Sequence, residues 1–310
     1  MSDIVQRLIN VQFHMDQQLL SGGAAQPRSF SKGGDTLTVS GLRTSAEITK
    51  AGTPAGARLT MRIYGLTLDV MNDLATLGMV YNQMRRNTVT VLAGDAVAGV
   101  HMVFYGSIQQ AWTDFSSMPD VSFNVEAQTL GTEAVILADS TSISGAVDVA
   151  AQMEKFAKAL NLDFENNGIT TKTPPVNLWG SIVSQAAQLA KTADINWFVD
   201  NRTLAIWPKG NAGSRGGTVP IISKDSGLVG YPGFTAYGIS LKMLFNPDIK
   251  FGGRIKVESD LSQLLSTINS KGFWQVYFID HHIESNLPHG QWFTTITCFN
   301  PDFPSQLGVR

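Results

Sequence analysis

Three histidines near the C-terminal end of the chain have the clearest potential for chemistry. His281 and His282 are adjacent, and His289 follows a few residues later. With Asp280 or Glu284 they could supply the ligands of a zinc ion. On a strand, however, adjacent residues point to opposite faces, so the first two histidines cannot both reach one ion easily. Because the sequence also lacks an HExxH motif, we interpret these histidines as strand and turn residues and predict no metal site.

Two pairs of acidic residues could act as the carboxylates of a glycosidase. The pairs are Asp114 with Asp120 and Asp163 with Glu165. Nothing in the sequence fixes the separation of their carboxyl groups, which such chemistry requires. Each pair also lies beside turn residues, where Asp is common. We therefore interpret all four as solvated turn acids and predict no catalytic residue and no enzymatic activity.

Glycine-rich and basic segments raise the possibility of phosphate or nucleic-acid binding. The segments Gly227–Gly230 and Gly252–Gly253 lack the GxxxxGK[ST] spacing and do not lie between a strand and a helix. Arg85-Arg86 and Lys172 are too isolated to follow a nucleic-acid backbone, and the net charge is -2. We predict turn glycines, no bound cofactor and no dedicated nucleic-acid site.

Aromatic residues are concentrated late in the chain. They are Phe273, Trp274, Tyr277, Phe278, Trp292, Phe293 and Phe299. Such a group could form a stacking platform for sugars or bases. A role in a protein core or a subunit interface is favoured, because aromatic side chains supply large buried areas in both.

Composition limits the class of protein. The chain has 310 residues, enough for two or three domains, and only 15% of them are charged. An average soluble domain has about 25% charged residues, so we expect other subunits to cover part of this surface. The one cysteine, Cys298, cannot form an internal disulfide, which fits assembly in a reducing cytoplasm. We find no signal-peptide pattern and no apolar run long enough to span a membrane.

Residues 1–135 have the pattern of a strand-rich domain. We predict strands at Ile4 to His14, Thr36 to Val39, Ser45 to Ile48, Arg58 to Tyr64, Thr88 to Leu92, His101 to Trp112 and Val121 to Thr129. The first run fits both the helical and the strand period, and the alternation of Val11, Phe13 and Met15 favours a strand. From Leu66 to Leu77 apolar residues recur at helical spacing, which predicts one helix. This pattern is typical of a barrel or sandwich. We assign residues 1–135 to a first β-barrel-like domain.

Residues 136–209 have a different, mixed pattern. Ser144 can cap one amphipathic helix, and Asn177 can cap a second. The runs Ile195 to Val199 and Leu204 to Trp207 flank a tight turn, which predicts a hairpin. We therefore predict a small α+β domain between two strand-rich domains, and a fold that is mainly β.

Beyond a glycine-rich segment the chain returns to strands. Residues 210–217, GNAGSRGG, are flexible by composition and indicate a domain boundary. Pro fixes φ and Gly permits positive φ, so Asp225-Ser226-Gly227 and Tyr231-Pro232-Gly233 predict two turns. Predicted strands follow at Val219 to Ile222, Tyr237 to Phe245, Arg254 to Val257, Trp274 to Ile283 and Trp292 to Phe299. We assign residues 210–300 to a second β-barrel-like domain and 301–310 to a C-terminal tail.

The last third of the chain resembles a known family. The run DSGLVGYPGFTAYGISLKMLFNPDIKFGGRIKV, followed after a gap by GFWQVYFIDHHIESNLPHGQWFTTI, is similar to the C-terminal half of baseplate hub proteins of contractile-tailed bacteriophages. These hubs form a superfamily with late control D-like proteins and share a fold with the base of the type VI secretion spike. The first barrel matches only by its strand pattern and by the run AWTDFSSMPDVSFNVEAQT.

The resemblance implies a structural virion protein. In similar hubs, two barrel-like domains of each chain surround one axis, so that a homotrimer presents six quasi-equivalent barrels. Such a ring adapts a six-fold tail tube to a three-fold spike and lets DNA pass during viral genome ejection. The implied partners are the tail spike protein, the tail tube or a tube-initiator protein, the tape-measure protein and baseplate wedge proteins. The implied location is the tail baseplate of the virion, assembled in the host bacterial cytoplasm, without stable membrane association.

Two other functions stay open at this point. A tail-associated peptidoglycan hydrolase would use the acidic pairs, and a receptor-binding or sugar-binding tail module would use the late aromatic residues.

Overall fold

A computed structural model describes most of the chain. It covers residues 5–15, 18–20, 28–31, 33–52, 56–75, 83–85, 87–210, 213–236, 238–258 and 272–301. The predicted helix positions 76–77, Arg86 and residues 302–310 of the predicted tail lie outside these residues. The chain divides into two compact units. The first unit comprises Met1–Thr49, Ala57–Thr132 and His281–Trp292, and the second comprises Lys50–Gly56, Glu133–Asp280 and Phe293–Arg310.

The first unit is built from strands and one short helix. Its elements are β1 (Arg7–His14), β2 (Gln18–Leu20), β3 (Thr36–Val39), β4 (Thr44–Ala51, whose last two residues belong to the second unit), β5 (Ala57–Tyr64), α1 (Leu68–Leu74), β6 (Gln83–Arg85), β7 (Thr88–Asp95), β8 (Gly99–Asp114) and β9 (Ser122–Gln128). The strand order β4-β5-β9-β8-β7-β1-β3 makes one continuous sheet, and β2 pairs with β6 separately.

Strict alternation of buried and exposed residues along its strands explains why this sheet forms. In β5, Leu59, Met61 and Ile63 are buried and the residues between them are exposed or half-buried. The same pattern buries Val11 and Phe13 of β1. Because side chains of a strand alternate between faces, each strand places its apolar residues on one side of the sheet. The core of the first unit lies on that side.

The second unit opens with a mixed α and β segment. Its elements are β10 (Thr141–Ile143), β11 (Val147–Asp148), α2 (Val149–Ala159), β12 (Asp163–Asn166), β13 (Lys172–Thr173), β14 (Val176–Leu178), α3 (Ile182–Thr192), β15 (Ile195–Asp200) and β16 (Thr203–Pro208). The predicted hairpin is present as the antiparallel pair β15 and β16, and β12 joins β16 in parallel. The α+β character predicted for this segment is therefore present.

The rest of the second unit is a curled sheet around a shared core. Its strands are β17 (Ile221–Ile222), β18 (Leu228–Phe234), β19 (Gly238–Leu244), β20 (Arg254–Val257), β21 (Phe273–Ser285, whose last five residues belong to the first unit) and β22 (Trp292–Phe299, whose first residue belongs to the first unit). The pairing order is β17-β20-β21-β22-β19-β18. The first and last strands of this order, β17 and β18, are consecutive in the chain, and all six strands contact one apolar cluster. The prediction of a mainly β fold with an α+β segment is confirmed.

Aromatic stacking joins the mixed segment to this sheet. Phe198 of β15 stacks on Phe251, with ring centroids 4.2 Å apart, and Trp207 of β16 meets the same ring at 6.3 Å. All three side chains belong to the buried cluster that includes Trp274. Residues 133–280 thus form one compact unit together with β22. The three domains assigned from sequence, 1–135, 136–209 and 210–300, stay a prediction beside this description.

Both helix starts in the mixed segment differ from the prediction. Asp148, not Ser144, caps α2 and accepts a hydrogen bond from the Ala151 N–H at 3.1 Å. Ser181, not Asn177, caps α3 in the same way. Asn177 is unable to cap because β14 pairs with β10 and its side-chain oxygen accepts from the Ser142 hydroxyl at 2.6 Å. Short strands that pair with distant segments of the chain therefore decide where each helix begins.

Two loop predictions also need correction. The predicted turn at Tyr231-Pro232-Gly233 lies inside β18. The predicted flexible segment 210–217 is anchored at Arg215, which is buried and whose N–H donates to the Gly252 carbonyl at 2.9 Å. Glycine content predicts low stiffness, but a buried arginine within the segment fixes its path.

The three described helices have seven, eleven and eleven residues. Within the described part of the chain, none is long and apolar enough to cross a membrane.

Candidate assembly interface

Strand β18 forms one end of the sheet in the second unit. Among the described residues it pairs on one side with β19, and the strand order ends there. The backbone groups on its outer side form an edge to which another strand can pair. Edges of this kind are a recognised route to protein–protein association.

An irregularity shapes this edge. Val229 pairs with Lys242 and Gly233 pairs with Ser240, so the three residues 230–232 oppose the single residue Leu241. The additional residues form a bulge, which bends a strand and increases its local twist. Pro232 lies within the bulge, where its missing N–H removes no regular ladder hydrogen bond.

The edge strand exposes apolar side chains. Val229, Tyr231 and Phe234 are 41%, 67% and 46% exposed, and Leu244 at the end of neighbouring β19 is 47% exposed. The segment from Ser226 to Tyr237 contains no Asp, Glu, Lys or Arg. Edge strands of monomeric proteins are usually protected by charged residues. An uncharged apolar edge is typical of a surface that another chain covers.

A local network of hydrogen bonds fixes the start of β18. The Ser226 hydroxyl donates to the Ile221 carbonyl at 2.8 Å, and the Leu228 N–H donates to the Ser223 carbonyl at 2.9 Å. The Leu244 N–H donates to the Gly227 carbonyl at 2.8 Å. The predicted turn at 225–227 is therefore present, and it directs the chain from β17 into the edge.

Glu165 belongs to a buried ion network rather than to a catalytic pair. Arg215 donates to both of its carboxylate oxygens, at 3.2 and 2.9 Å. Arg215 also pairs with Asp200 at 3.1 Å, and Lys50 pairs with the other oxygen of Asp200 at 2.7 Å. The side chains of Lys50, Asp200 and Arg215 are at most 5% exposed. The network joins β4, β12, β15 and the segment after β16 within the second unit.

The network sets the protonation of its carboxyl groups. Burial alone would raise the pKa of Asp200, but the charges of Lys50 and Arg215 outweigh it and hold that pKa below its ordinary value. At Glu165, burial also favours a higher pKa. The hydrogen bonds and the charge of Arg215 outweigh that effect, so the pKa of this carboxyl is lowered as well. Both groups are ionised at neutral pH, so Glu165 is unsuited to act as a general acid.

The other predicted acids lie in exposed or half-buried positions. Asp163 lies on the exposed side of β12. Asp114 accepts a hydrogen bond from the Ser116 N–H at 2.9 Å, and the Ser116 side chain and backbone lower the pKa of this carboxyl. Asp120 lies in the same exposed loop, and its N–H donates to the Ser117 carbonyl. These contacts are those of turn acids.

The histidines are separated as the strand pattern predicts. His281 is buried and His282 is half-buried on the opposite side of β21. The Nε2 atom of His282 lies 3.9 Å from a carboxylate oxygen of Glu47. His289 has a φ of 59° and lies in the turn between β21 and β22, while Glu284 accepts a hydrogen bond from the Gln291 N–H.

The predicted glycine, basic and aromatic positions are spread over both units. Gly227 ends a turn, Gly230 lies in β18, and Gly252–Gly253 precede β20; no described helix follows any of them. Lys172 lies on β13 and Arg85 ends β6.

Among the late aromatic residues, Trp274 and Trp292 are buried, Phe273 is exposed, and Tyr277, Phe278, Phe293 and Phe299 are half-buried. Because Trp292 is buried, an alanine substitution there would test packing rather than sugar binding.

Known structures share this fold. A tail protein of Neisseria meningitidis is 8% identical, with a TM-score of 0.55 over 93% of this chain and 96% of that one. The 43 kDa tail protein of prophage MuSo2 from Shewanella oneidensis is 10% identical, with a TM-score of 0.55 over 96% of this chain and 99% of that one. An Escherichia coli type VI secretion component is 10% identical, with a TM-score of 0.52 over 84% of this chain and 73% of that one. It is described as structurally similar to the T4 tail proteins gp27 and gp5. The fold is therefore one used by phage tail proteins and their secretion counterparts.

The sequence comparison is more specific. The family model described as Baseplate hub gp41 matches residues 8–298. The chain belongs to this baseplate hub family, and the resemblance predicted from its last third is confirmed. No curated protein sequence gave a significant match.

Sequence reasoning missed both the exposed edge and the ion network. The uncharged run from Ser226 to Tyr237 was the available signal for the edge. The members of the ion network are far apart in sequence, from Lys50 to Arg215, and a single arginine in a glycine-rich segment was the only local sign of it.

Proposed function

We propose that this baseplate hub family member forms a homotrimeric ring in the tail of a contractile phage. Each copy contributes two β-rich modules, so three copies place six modules around one axis. The ring adapts a six-fold tail tube to a three-fold spike. Its lumen holds the end of the tape-measure protein and later lets DNA pass during genome ejection. Assembly takes place in the host cytoplasm, and the ring resides in the virion baseplate.

The observation that carries this proposal is the unprotected edge strand β18. Val229 and Tyr231 are exposed on an edge that carries no charged residue. Closing a ring covers such an edge in every copy and leaves none free for aggregation. The low fraction of charged residues, 15%, is consistent with a chain that contacts several other subunits.

The proposed partners follow from the position of a hub. Below the ring we place the tail spike protein, because a fold like this one occurs in Francisella PdpA–VgrG complexes, at 7% identity and a TM-score of 0.55. Above it we place the tail tube or a tube-initiator protein, and around it the baseplate wedge proteins.

Introducing positive charge at the edge tests the interface. In the double variant Val229→Lys and Tyr231→Lys, two exposed apolar side chains become charged, which adjoining copies cannot bury without an unpaired charge. We expect the wild-type chain, alone or after addition of the spike protein, to sediment with three copies per assembly and the double variant to stay a monomer with an unchanged melting temperature. Val97→Lys is the matched control, because Val97 is an exposed apolar residue, 82% accessible, in the turn between β7 and β8. A double variant that still forms trimers would reject β18 as the interface.

A further inference from the structure

A cavity in the first unit is lined by two exposed arginines, most of whose N–H donors have no acceptor among the described residues. It has a volume of about 310 Å³ and lies between β4, β5 and the turn that joins β21 to β22. Arg43, Arg62 and Tyr64 line one part of it, and Leu287 and Gln291 line another. This volume accommodates one or two side chains, and it lies at the lower end of the range for small-molecule pockets.

Both guanidinium groups are held in place. The guanidinium carbon of Arg43 lies over the ring of Tyr64, 4.3 Å from the ring centroid, as in a cation–π contact. The Nε of Arg62 donates to the Asn124 side-chain oxygen at 3.0 Å, and Asn124 is itself buried. Among the described residues, no acceptor pairs with the terminal nitrogens of Arg62 or with the Arg43 guanidinium. An arginine has five N–H donors, so most donors of this pair are unused.

Of the two acidic residues of the cavity, Glu284 is hydrogen-bonded within it and Glu47 is exposed. One oxygen of Glu284 accepts from the Ser45 hydroxyl at 3.2 Å, and the other accepts from the Gln291 N–H at 2.7 Å. Glu47 lies 3.9 Å from the ring nitrogen of His282. Neither glutamate pairs with Arg43 or Arg62 in the described structure, so the donors of both arginines stay available to a partner.

We propose that Arg43 and Arg62 form a binding site for a carboxylate, supplied by an aspartate or glutamate side chain of a partner protein. Two guanidinium groups match a carboxylate because each can donate two parallel hydrogen bonds. The two glutamates of the cavity disfavour a polyanion such as DNA, which would add many negative charges beside them. Tyr64 and Leu287, both half-buried, supply apolar surface for the residue next to the acid. The proposal does not require the chain to be a trimer.

Peptide selection on the full-length chain tests this site. A random heptapeptide library is selected on the wild-type protein and counter-selected on a variant carrying Arg43→Gln and Arg62→Gln. We expect the selected peptides to be enriched in a single Asp or Glu beside an apolar residue. Replacing that acid with its amide should weaken binding about tenfold or more, since hydrogen bonds to charged groups are the strong ones.

Matched variants separate this site from general charge attraction. Each single variant, Arg43→Gln or Arg62→Gln, should weaken binding about tenfold. Arg58→Gln should not, because Arg58 lies on the same strand as Arg62 and outside the cavity. Unchanged melting temperatures would show that the variants fold. Selected peptides without Asp or Glu, an equal loss in Arg58→Gln, or displacement by inorganic phosphate at lower concentration than by acetate would each overturn the assignment.

Discussion

Arg215 and Asp200 form an ion pair of 3.1 Å in which both side chains are at most 5% exposed. Lys50 and Glu165 extend this pair to a network of two cations and two anions. Removing charges from water is costly, and their mutual attraction compensates only when each charge has a partner. The network therefore makes the position of the mixed segment in the second unit sensitive to the loss of any one member.

Asp200→Asn should be strongly destabilising. The substitution leaves the buried Lys50 charge beside a neutral amide, while Arg215 keeps Glu165 as its partner, and breaking a buried pair in this way costs about 3–5 kcal/mol. Urea unfolding should show this loss. Asp194→Asn is the control, because Asp194 pairs with Lys209 at 2.8 Å on the surface, where such a pair contributes less than about 1 kcal/mol. An equal effect of the two substitutions would contradict the role of the network.

The stability of the second unit should fall in acid. The pKa values of Asp200 and Glu165 are lower in the folded chain than in an unfolded chain, where such groups titrate near pH 4. The unfolded chain therefore takes up protons first, so this stabilisation is complete above about pH 5 and is lost as pH falls through the folded pKa values. Melting temperatures between pH 7 and pH 3 measure the effect.

Glu165→Gln should make the dependence of the melting temperature on pH shallower, because it removes one of the two carboxyl groups whose pKa is lowered in the folded chain. Glu154→Gln should leave it unchanged, since Glu154 is 44% exposed and pairs with Lys158 one helical turn away. Identical pH profiles of the wild-type chain and Glu165→Gln would refute this source of acid sensitivity.

Gly252→Ala should destabilise the chain by more than the cost of placing an alanine at positive φ, because the added methyl group would also collide with a core side chain. Gly252 has a φ of 77°, and an added Cβ would overlap the Trp207 ring, inside the core cluster. Gly168→Ala provides the matched control, because Gly168 has a φ of 90° with open space around it. A left-handed alanine costs about 1–2 kcal/mol, and overpacking adds about 1–3 kcal/mol. Equal unfolding free energies of the two variants would show that Trp207 moves freely.

Local pattern was sufficient to predict most strands. The predicted bounds Thr36–Val39, Arg254–Val257 and Trp292–Phe299 are those of the structure. Each of these runs has alternating burial, which is a property of neighbouring residues and is therefore visible in sequence. Short-range pattern is thus a sound guide to where this chain is extended.

Features that depend on distant residues could not be predicted. Asn177 has the composition of a helix cap, but Ser142 occupies its side-chain oxygen. The 231–233 segment has the composition of a turn, but pairing with β19 makes it part of a bulged strand. Arg43 and Arg62 gave no sequence signal at all, because only the fold brings them to one cavity.

Native mass spectrometry of the purified chain tests the central claim most directly. One copy has a mass of 33.5 kDa. We predict a species of three copies at micromolar concentration, either alone or after addition of the spike protein, and its loss in the Val229→Lys and Tyr231→Lys double variant. A single-copy species at every concentration, with and without the spike protein, would contradict the account of this chain as a ring-forming hub.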